Sequence, residues 1–173
     1  MMSEAVIYIL IGQKGSGKTY IGNIVRELYG ITFIRVEDIA LKIKQNRAVD
    51  DESYHKDVFA QIESHIRSVI VNNPIIIFES LGLTPHFDNM LENLKGDFRV
   101  ICINVKVSPE LCLERIKNRD KSIQIDISDE EILKINSLIL EKNMLCDYEI
   151  ENNESRAELI PQLNKLFVNR KIS

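Results

Sequence analysis

A short run near the start of the chain combines the residue types that phosphate chemistry requires. Residues 12–19, Gly-Gln-Lys-Gly-Ser-Gly-Lys-Thr, fit the pattern G-x-x-x-x-G-K-[ST] in full. Glycines let successive backbone N–H groups turn towards a phosphate, a lysine neutralises the outer phosphates, and a threonine hydroxyl can hold magnesium. The pattern predicts a nucleotide-phosphate site built from Gly12, Lys14, Gly15, Ser16, Gly17, Lys18 and Thr19.

The segments on either side of residues 12–19, here named the phosphate loop, suit that chemistry. Residues 5–11 form a continuous apolar run, which is typical of a strand buried on both faces. Residues 18–29 carry apolar side chains at the spacing of one helical face. A loop that follows a strand and opens a helix also receives the positive end of the helix dipole. The alternative, a glycine turn without a ligand, does not account for this context.

Strands and helices alternate along the rest of the chain. Strands are predicted at residues 32–36, 75–79, 99–107 and 148–151, and helices at 39–45, 56–72, 86–94 and 108–119. Two later helices are predicted to begin at capping boxes, Ser128 with Glu131 and Ser155 with Glu158. Buried strands that alternate with helices indicate an α/β fold with a parallel sheet, whose ligands bind beyond the carboxyl ends of the strands.

Three carboxylates are predicted at that edge of the sheet. Glu79 ends the otherwise apolar strand at residues 75–79, where it can hold a magnesium ion or orient an acceptor. Glu37 and Asp38 follow the second predicted strand and are the other candidates for contact with an acceptor. In the alternative interpretation, Asp38 only caps a helix whose body starts at Ile39.

Composition excludes several classes of protein. The chain has 173 residues, 45% of them hydrophobic and 28% charged, which indicates a single globular domain over residues 1–173 and excludes disordered, collagen-like and disulfide-scaffold classes. The net charge of −4 argues against a general nucleic-acid partner.

Location and redox state are predicted from the N-terminus and the cysteines. The start lacks the basic residues of a secretory signal, and its apolar run is too short to span a membrane. We therefore expect a cytoplasmic protein without a membrane partner. Cys102, Cys112 and Cys146 form no C-x-x-C pair, so three reduced thiols are expected.

The segment Glu114-Arg115-Ile-Lys-Asn-Arg119 resembles the lid helix of the nucleoside-monophosphate kinase superfamily, which includes adenylate, shikimate and dephospho-coenzyme A kinases. The resemblance implies a P-loop NTPase fold with a five-stranded parallel sheet in the order 2-3-1-4-5, helices on both faces and a short lid at about residues 119–128. It also implies an acceptor-closing segment at about residues 38–72, stacking of Arg115 on adenine, and an Arg119 that points at the transferring phosphate.

The function that the resemblance implies is ATP- and Mg²⁺-dependent phosphoryl transfer to a small acceptor, with Lys18, Asp38, Glu79 and Arg119 as catalytic residues and Thr19 and Glu79 at the metal. The stretch Glu79-Ser-Leu-Gly-Leu departs from both the adenylate kinase and the shikimate kinase patterns. A nucleotide or nucleotide-like acceptor is the leading prediction. The alternatives are a shikimate-like metabolite, or a regulatory NTPase without an acceptor.

Overall fold

Five strands form one parallel sheet. The computed structural model describes residues 5–48, 51–119 and 127–168. The strands are β1 (Val6–Ile11), β2 (Thr32–Ile34), β3 (Ile75–Ser80), β4 (Arg99–Lys106) and β5 (Tyr148–Glu151). Their order in the sheet is β2-β3-β1-β4-β5, which confirms the order that the resemblance predicts. The last residue of β1, Ile11, pairs with Ser80 and Asn104, so the central strands end at one common edge.

Seven helices surround the sheet within the described ranges. They are α1 (Lys18–Tyr29), α2 (Val36–Lys44), α3 (Glu52–Ile70), α4 (Pro85–Asp97), α5 (Pro109–Lys117), α6 (Asp129–Lys142) and α7 (Arg156–Phe167). Helices α2, α3 and α4 pack on the face that carries Ile7, Ile9 and Ile11, whereas α1, α5 and α7 pack on the opposite face, around Tyr8 and Leu10. Because β1 is buried on both faces, its apolar residues are continuous.

Helix α6 occupies a different place from the other six. Its residue Asn136 contacts the backbone of Lys14 in the phosphate loop, and its last residue, Lys142, donates to the carbonyl oxygen of Gly82 beyond β3. The helix therefore spans the carboxyl edge of the sheet. A capping box of Ser128 and Glu131 starts it, as the sequence predicts.

The second strand is shorter than predicted. It ends at Ile34, and α2 begins at Val36 with Arg35 as its N-cap. Glu37 and Asp38 therefore lie in the first turn of α2, where carboxylates are favoured by the helix dipole and where both pair with Arg35. The interpretation of Asp38 as the cap of a helix that starts at Ile39 is wrong.

Two further helix ends and one predicted capping box differ from the predictions. Helix α3 begins at Glu52, earlier than predicted, because Asp51 accepts a hydrogen bond from the N–H of Ser53. Helix α5 ends at Lys117, so Arg119 lies beyond it and not on its face. Ser155 is the N-cap of α7, but its side chain caps no N–H group, so the predicted second capping box is absent.

The prediction of three reduced cysteines is wrong. Cys102 in β4 and Cys146 just before β5 form a disulfide bond, with their Cα atoms 4.7 Å apart. Residues separated by 44 positions meet here because β4 and β5 are neighbours in the sheet, which cysteine spacing alone does not reveal. Cys112 is free and buried.

None of the described helices is long and apolar enough to cross a membrane. Most of the predicted lid, residues 120–126, lies outside the described residues.

Candidate active site

The phosphate loop adopts a backbone that depends on its glycines. Gly15 and Gly17 have φ angles of +85° and +89°, in the left-handed region that side chains disfavour. A Cβ atom on Gly15 would also collide with the carbonyl of Cys112, and one on Gly12 would lie 2.7 Å from the carbonyl oxygen of Val105. The loop is thus packed tightly against the ends of β4 and α5, which explains why these positions carry glycine.

Lys18 is buried beneath the loop, with 8% of its surface exposed. Its Nζ atom donates hydrogen bonds to the carbonyl oxygens of Gly12 and Gln13, at 2.8 and 2.7 Å, and lies 3.4 Å from Oγ of Ser16. Burial lowers the pKa of Lys18 to about 8, although the charge of Glu79 acts in the opposite direction. The ammonium group is therefore held inside the loop, where a phosphate oxygen can replace a carbonyl partner.

Thr19 and Glu79 form the second part of the site. The hydroxyl of Thr19 donates to Oε2 of Glu79 at 2.7 Å, so the first turn of α1 is joined to the end of β3. Burial raises the pKa of Glu79, while Lys18 and the Thr19 hydroxyl favour its ionised form. A hydroxyl and a carboxylate side by side are oxygen ligands of the kind that Mg²⁺ prefers.

Two asparagines hold the phosphate loop from distant parts of the chain. Asn136 in α6 accepts from the N–H of Lys14 at 2.8 Å and donates to its carbonyl oxygen at 3.1 Å. Asn152, just after β5, donates to the carbonyl oxygen of Ser16 at 2.9 Å and approaches Gly17 closely. Both asparagines are buried, with 5% of their surface exposed, and each forms hydrogen bonds with the backbone of the loop.

Arg115 lies beside Gly17 at the end of α5. One of its terminal nitrogens, Nη2, donates to the carbonyl oxygen of Asn152 at 2.7 Å. The other, Nη1, is buried and has no hydrogen-bond partner among the described residues. The guanidinium group is thus fixed on the β5 side of the loop, at the place where the resemblance implies a stacked adenine.

Lys14 and Arg119 add positive charge near Lys18. The pKa of Lys14 is lowered by burial, and the nearby charges that act on it include those of Glu37, Arg119 and Glu79. Arg119 also lowers the pKa of Lys18, so its charge acts on both lysines of the loop. Four cations, Lys14, Lys18, Arg115 and Arg119, therefore surround the loop of a chain whose net charge is −4.

The two carboxylates of α2 are partly neutralised. Arg35 pairs with Glu37 at 3.3 Å and with Asp38 at 2.9 Å. Asp38 is half exposed and Glu37 is more buried. Of the two, only Glu37 acts electrostatically on both Lys14 and Glu79. Glu37 is thus the α2 carboxylate whose charge acts on the groups of the phosphate loop.

Sequence reasoning missed the residues that position the loop. Asn136 lies in an amphipathic helix and Asn152 in a polar turn, where asparagine is common and carries no signal of its own. Gln13 is also buried and donates to the carbonyl oxygen of Val107 at 3.1 Å. A buried position for an amide side chain can be inferred only once the folded neighbours are known.

Comparison with known proteins gives a partial sequence match and a shared fold. No protein-family model matches the chain. A shikimate kinase from Macrococcus caseolyticus is 28% identical over 85 residues, which cover 48% of this chain and 50% of that protein. The match thus spans about half the length of the curated relative.

Solved structures resemble the chain over nearly its whole length. A shikimate kinase from Acinetobacter baumannii in complex with shikimate has a TM-score of 0.65 and 20% identity, covering 98% of this chain and 96% of that one. A gluconokinase from Sinorhizobium meliloti has a TM-score of 0.65 and 16% identity, with 98% and 97% covered. The chain therefore has the P-loop kinase fold of these structures, which confirms the predicted fold.

Proposed function

We propose that the chain is an ATP-dependent phosphotransferase that moves the γ-phosphoryl group of ATP to a small acceptor. The observation that carries this proposal is the buried Lys18 ammonium group inside a glycine loop, next to the Thr19–Glu79 pair. The sequence match to a shikimate kinase and the fold shared with small-molecule kinases support it.

In the proposed reaction, the bond between the γ-phosphorus and the oxygen that bridges it to the β-phosphorus breaks. A new bond forms between the γ-phosphorus and an acceptor oxygen, and ADP leaves with the bonding electron pair. Where the acceptor oxygen is a hydroxyl, its proton passes to a base, for which Glu37 and Asp38 are the candidates. Lys18 and Arg119 neutralise the charge on the phosphoryl oxygens, which stabilises the transition state.

Magnesium is the proposed metal of the site. Thr19 and Glu79 would hold the ion, Glu79 either directly or through water. The magnesium ion would neutralise charge on the β- and γ-phosphate oxygens. The two oxygen donors fit a hard cation because they already lie 2.7 Å apart on neighbouring elements.

The acceptor is a small molecule. A nucleotide or nucleotide-like acceptor remains the leading prediction, and the sequence match to a shikimate kinase favours a hydroxy acid as the second candidate. A regulatory NTPase without an acceptor differs from both of these kinases because its rate of ADP release does not depend on an added acceptor.

ADP release by the purified chain distinguishes these three candidate functions. We expect release to rise when a panel of nucleoside monophosphates and hydroxy acids is added with ATP and magnesium. Lys18→Ala should abolish release, since the loss of a transition-state cation lowers turnover about 10²-fold or more. Glu79→Gln should raise the magnesium concentration needed for half-maximal rate.

Lys134→Ala is the matched control, because Lys134 is an exposed lysine on α6. Near-normal release by a folded Lys18→Ala protein would contradict the proposal. Release that no acceptor stimulates would favour the regulatory NTPase.

A further inference from the structure

We propose that Lys14, although it lies within the phosphate loop, binds the acceptor, and that its ammonium group pairs with an anionic oxygen group of that acceptor, a carboxylate or a phosphate. The inference rests on the proposed function, and it concerns only the acceptor half of the site.

The backbone of Lys14 is already engaged. Its N–H donates to Oδ1 of Asn136 and its carbonyl oxygen accepts from Nδ2 of the same side chain. This N–H group is therefore directed at α6 and not at a phosphate. Because one buried amide holds both sides of residue 14, the direction in which its side chain leaves the loop is fixed, and what Lys14 adds to the site is its side chain.

That side chain is a half-buried cation without a direct partner. Within the described part of the chain, Nζ of Lys14 forms no hydrogen bond and no ion pair, and burial lowers its pKa. A cation withdrawn from water is costly unless another group pairs with it. Lys18, by contrast, has two carbonyl partners within 2.8 Å. A ligand that brings negative charge supplies what Lys14 lacks.

The position of Lys14 favours the acceptor over ATP as that ligand. Among the charges that act on it, the largest contribution comes from Glu37, in the first turn of α2 after the edge strand β2. Arg115, to which the resemblance assigns the adenine, contacts Asn152 beside β5 at the other end of the sheet. The backbone of Lys14 is also held by α6, which continues to Gly82 beyond β3, the neighbour of β2 in the sheet. We therefore place the Lys14 side chain on the β2 side of the loop, opposite Arg115, and assign that side to the molecule that receives the phosphoryl group.

The remaining charges near Lys14 leave room for an anion. Arg119 and Lys18 are positive, whereas Glu79 is engaged by Thr19 and Glu37 by Arg35. An uncharged acceptor bound beside Lys14 would leave its ammonium group without a direct partner. A carboxylate or phosphate pairs with it directly, and a charge-assisted hydrogen bond of this kind is stronger than a neutral one.

Steady-state kinetics with paired acceptors tests the proposal. The panel contains shikimate, gluconate and the ribonucleoside monophosphates, each with an uncharged counterpart: shikimate methyl ester, sorbitol and the ribonucleosides. We expect the wild-type chain to phosphorylate a charged member and to discriminate against its uncharged counterpart. Which charged arm is used distinguishes a carboxylate from a phosphate.

Substitution of Lys14 then separates acceptor from donor. Lys14→Met keeps the length of the side chain without its charge, and it should raise the KM for the charged acceptor roughly 10- to 100-fold, as expected for a lost hydrogen bond between charged groups. The Kd for the ATP analogue AMPPNP, measured by calorimetry, should change less than about twofold. Lys14→Arg should retain most of the acceptor affinity, and the exposed Lys134→Met variant should change neither constant.

Three results would overturn the assignment: equal use of charged and uncharged acceptors, an unchanged acceptor KM in Lys14→Met, or a loss of AMPPNP affinity as large as the loss for the acceptor. The wild-type comparison of acceptors decides the matter even if Lys14→Met fails to fold. If the chain binds AMPPNP but phosphorylates no charged member, the anionic acceptor is wrong while the nucleotide site stands. If it binds no AMPPNP, the proposed function itself fails.

Discussion

Folding buries the Lys18 ammonium group, which disfavours its charged form. A comparison with Lys18→Met should show this free-energy cost as a pH dependence of the free energy of unfolding. Burial lowers the pKa of Lys18 from 10.5 to about 8, with Glu79 opposing the shift. Between about pH 8 and 10.5 the unfolded chain therefore binds more protons at this position than the folded chain does. The free-energy penalty for burying the charged lysine applies in full below about pH 8 and decreases as the pH rises. The free energy of unfolding of the wild type therefore rises with pH relative to that of Lys18→Met.

The size of the effect follows from the two pKa values. They differ by about 2.5, and at about 1.36 kcal/mol per pH unit the full penalty is about 3.4 kcal/mol. An experiment between about pH 7 and pH 9.5 crosses only part of that interval, because the unfolded lysine is still mostly protonated at its upper end. The linkage relation then gives a gain of about 2 kcal/mol for the wild type over the variant.

Urea unfolding measures this gain directly. The wild type, Lys18→Met and the exposed-lysine control Lys134→Met are compared at about pH 7 and 9.5, without nucleotide and with a chelator. The loss of the hydrogen bonds to Gly12 and Gln13 changes the variant's free energy of unfolding at both pH values. Only the change of the free energy of unfolding with pH is therefore interpreted. If the free energies of unfolding of the wild type and Lys18→Met run parallel, the burial argument is refuted.

Two further predictions concern the loop and its arginines. Gly15→Ala should destabilise the fold by more than about 1 kcal/mol, because of its φ of +85° and the carbonyl of Cys112 beside it. Gly96→Ala, in a helix with open space around it, should stabilise the fold by about 0.5–1 kcal/mol, and thermal unfolding of both variants should therefore shift in opposite directions. Arg115→Ala should mainly raise the KM for ATP, whereas Arg119→Ala should mainly lower kcat about 10²-fold. Purely KM effects in both arginine variants would limit them to nucleotide binding.

The elements with a strong local signal could be predicted from the sequence. The apolar strands, the phosphate loop and the Ser128 capping box depend on residues that are close together in the chain, so their patterns are readable there. The sheet order came from resemblance, because periodicity does not determine which strands are neighbours.

The predictions failed where distant residues decide the structure. Val36 extends an apolar β-branched pattern, but the pairing of Arg35 with Glu37 and Asp38 makes it the start of a helix. Cys102 and Cys146 meet only because β4 and β5 pair.

Only part of the candidate site could be predicted from the sequence. Lys18 and Thr19 could be identified because the loop pattern is specific, and Glu79 because a carboxylate at the end of an apolar strand is conspicuous. The roles of Asn136 and Asn152 could not be predicted, because these side chains bind backbone groups more than a hundred positions away.

That separation has a consequence for the order of events during synthesis. The phosphate loop leaves the ribosome before Asn136 and Asn152, which follow their partners in the loop by 122 and 136 positions. At roughly 5–20 residues per second, translation needs about 7–27 s to cover the longer interval. Until then the nascent chain lacks at least one of the two side chains that hold the loop, so the hydrogen-bonded loop is complete only after β5 has been made.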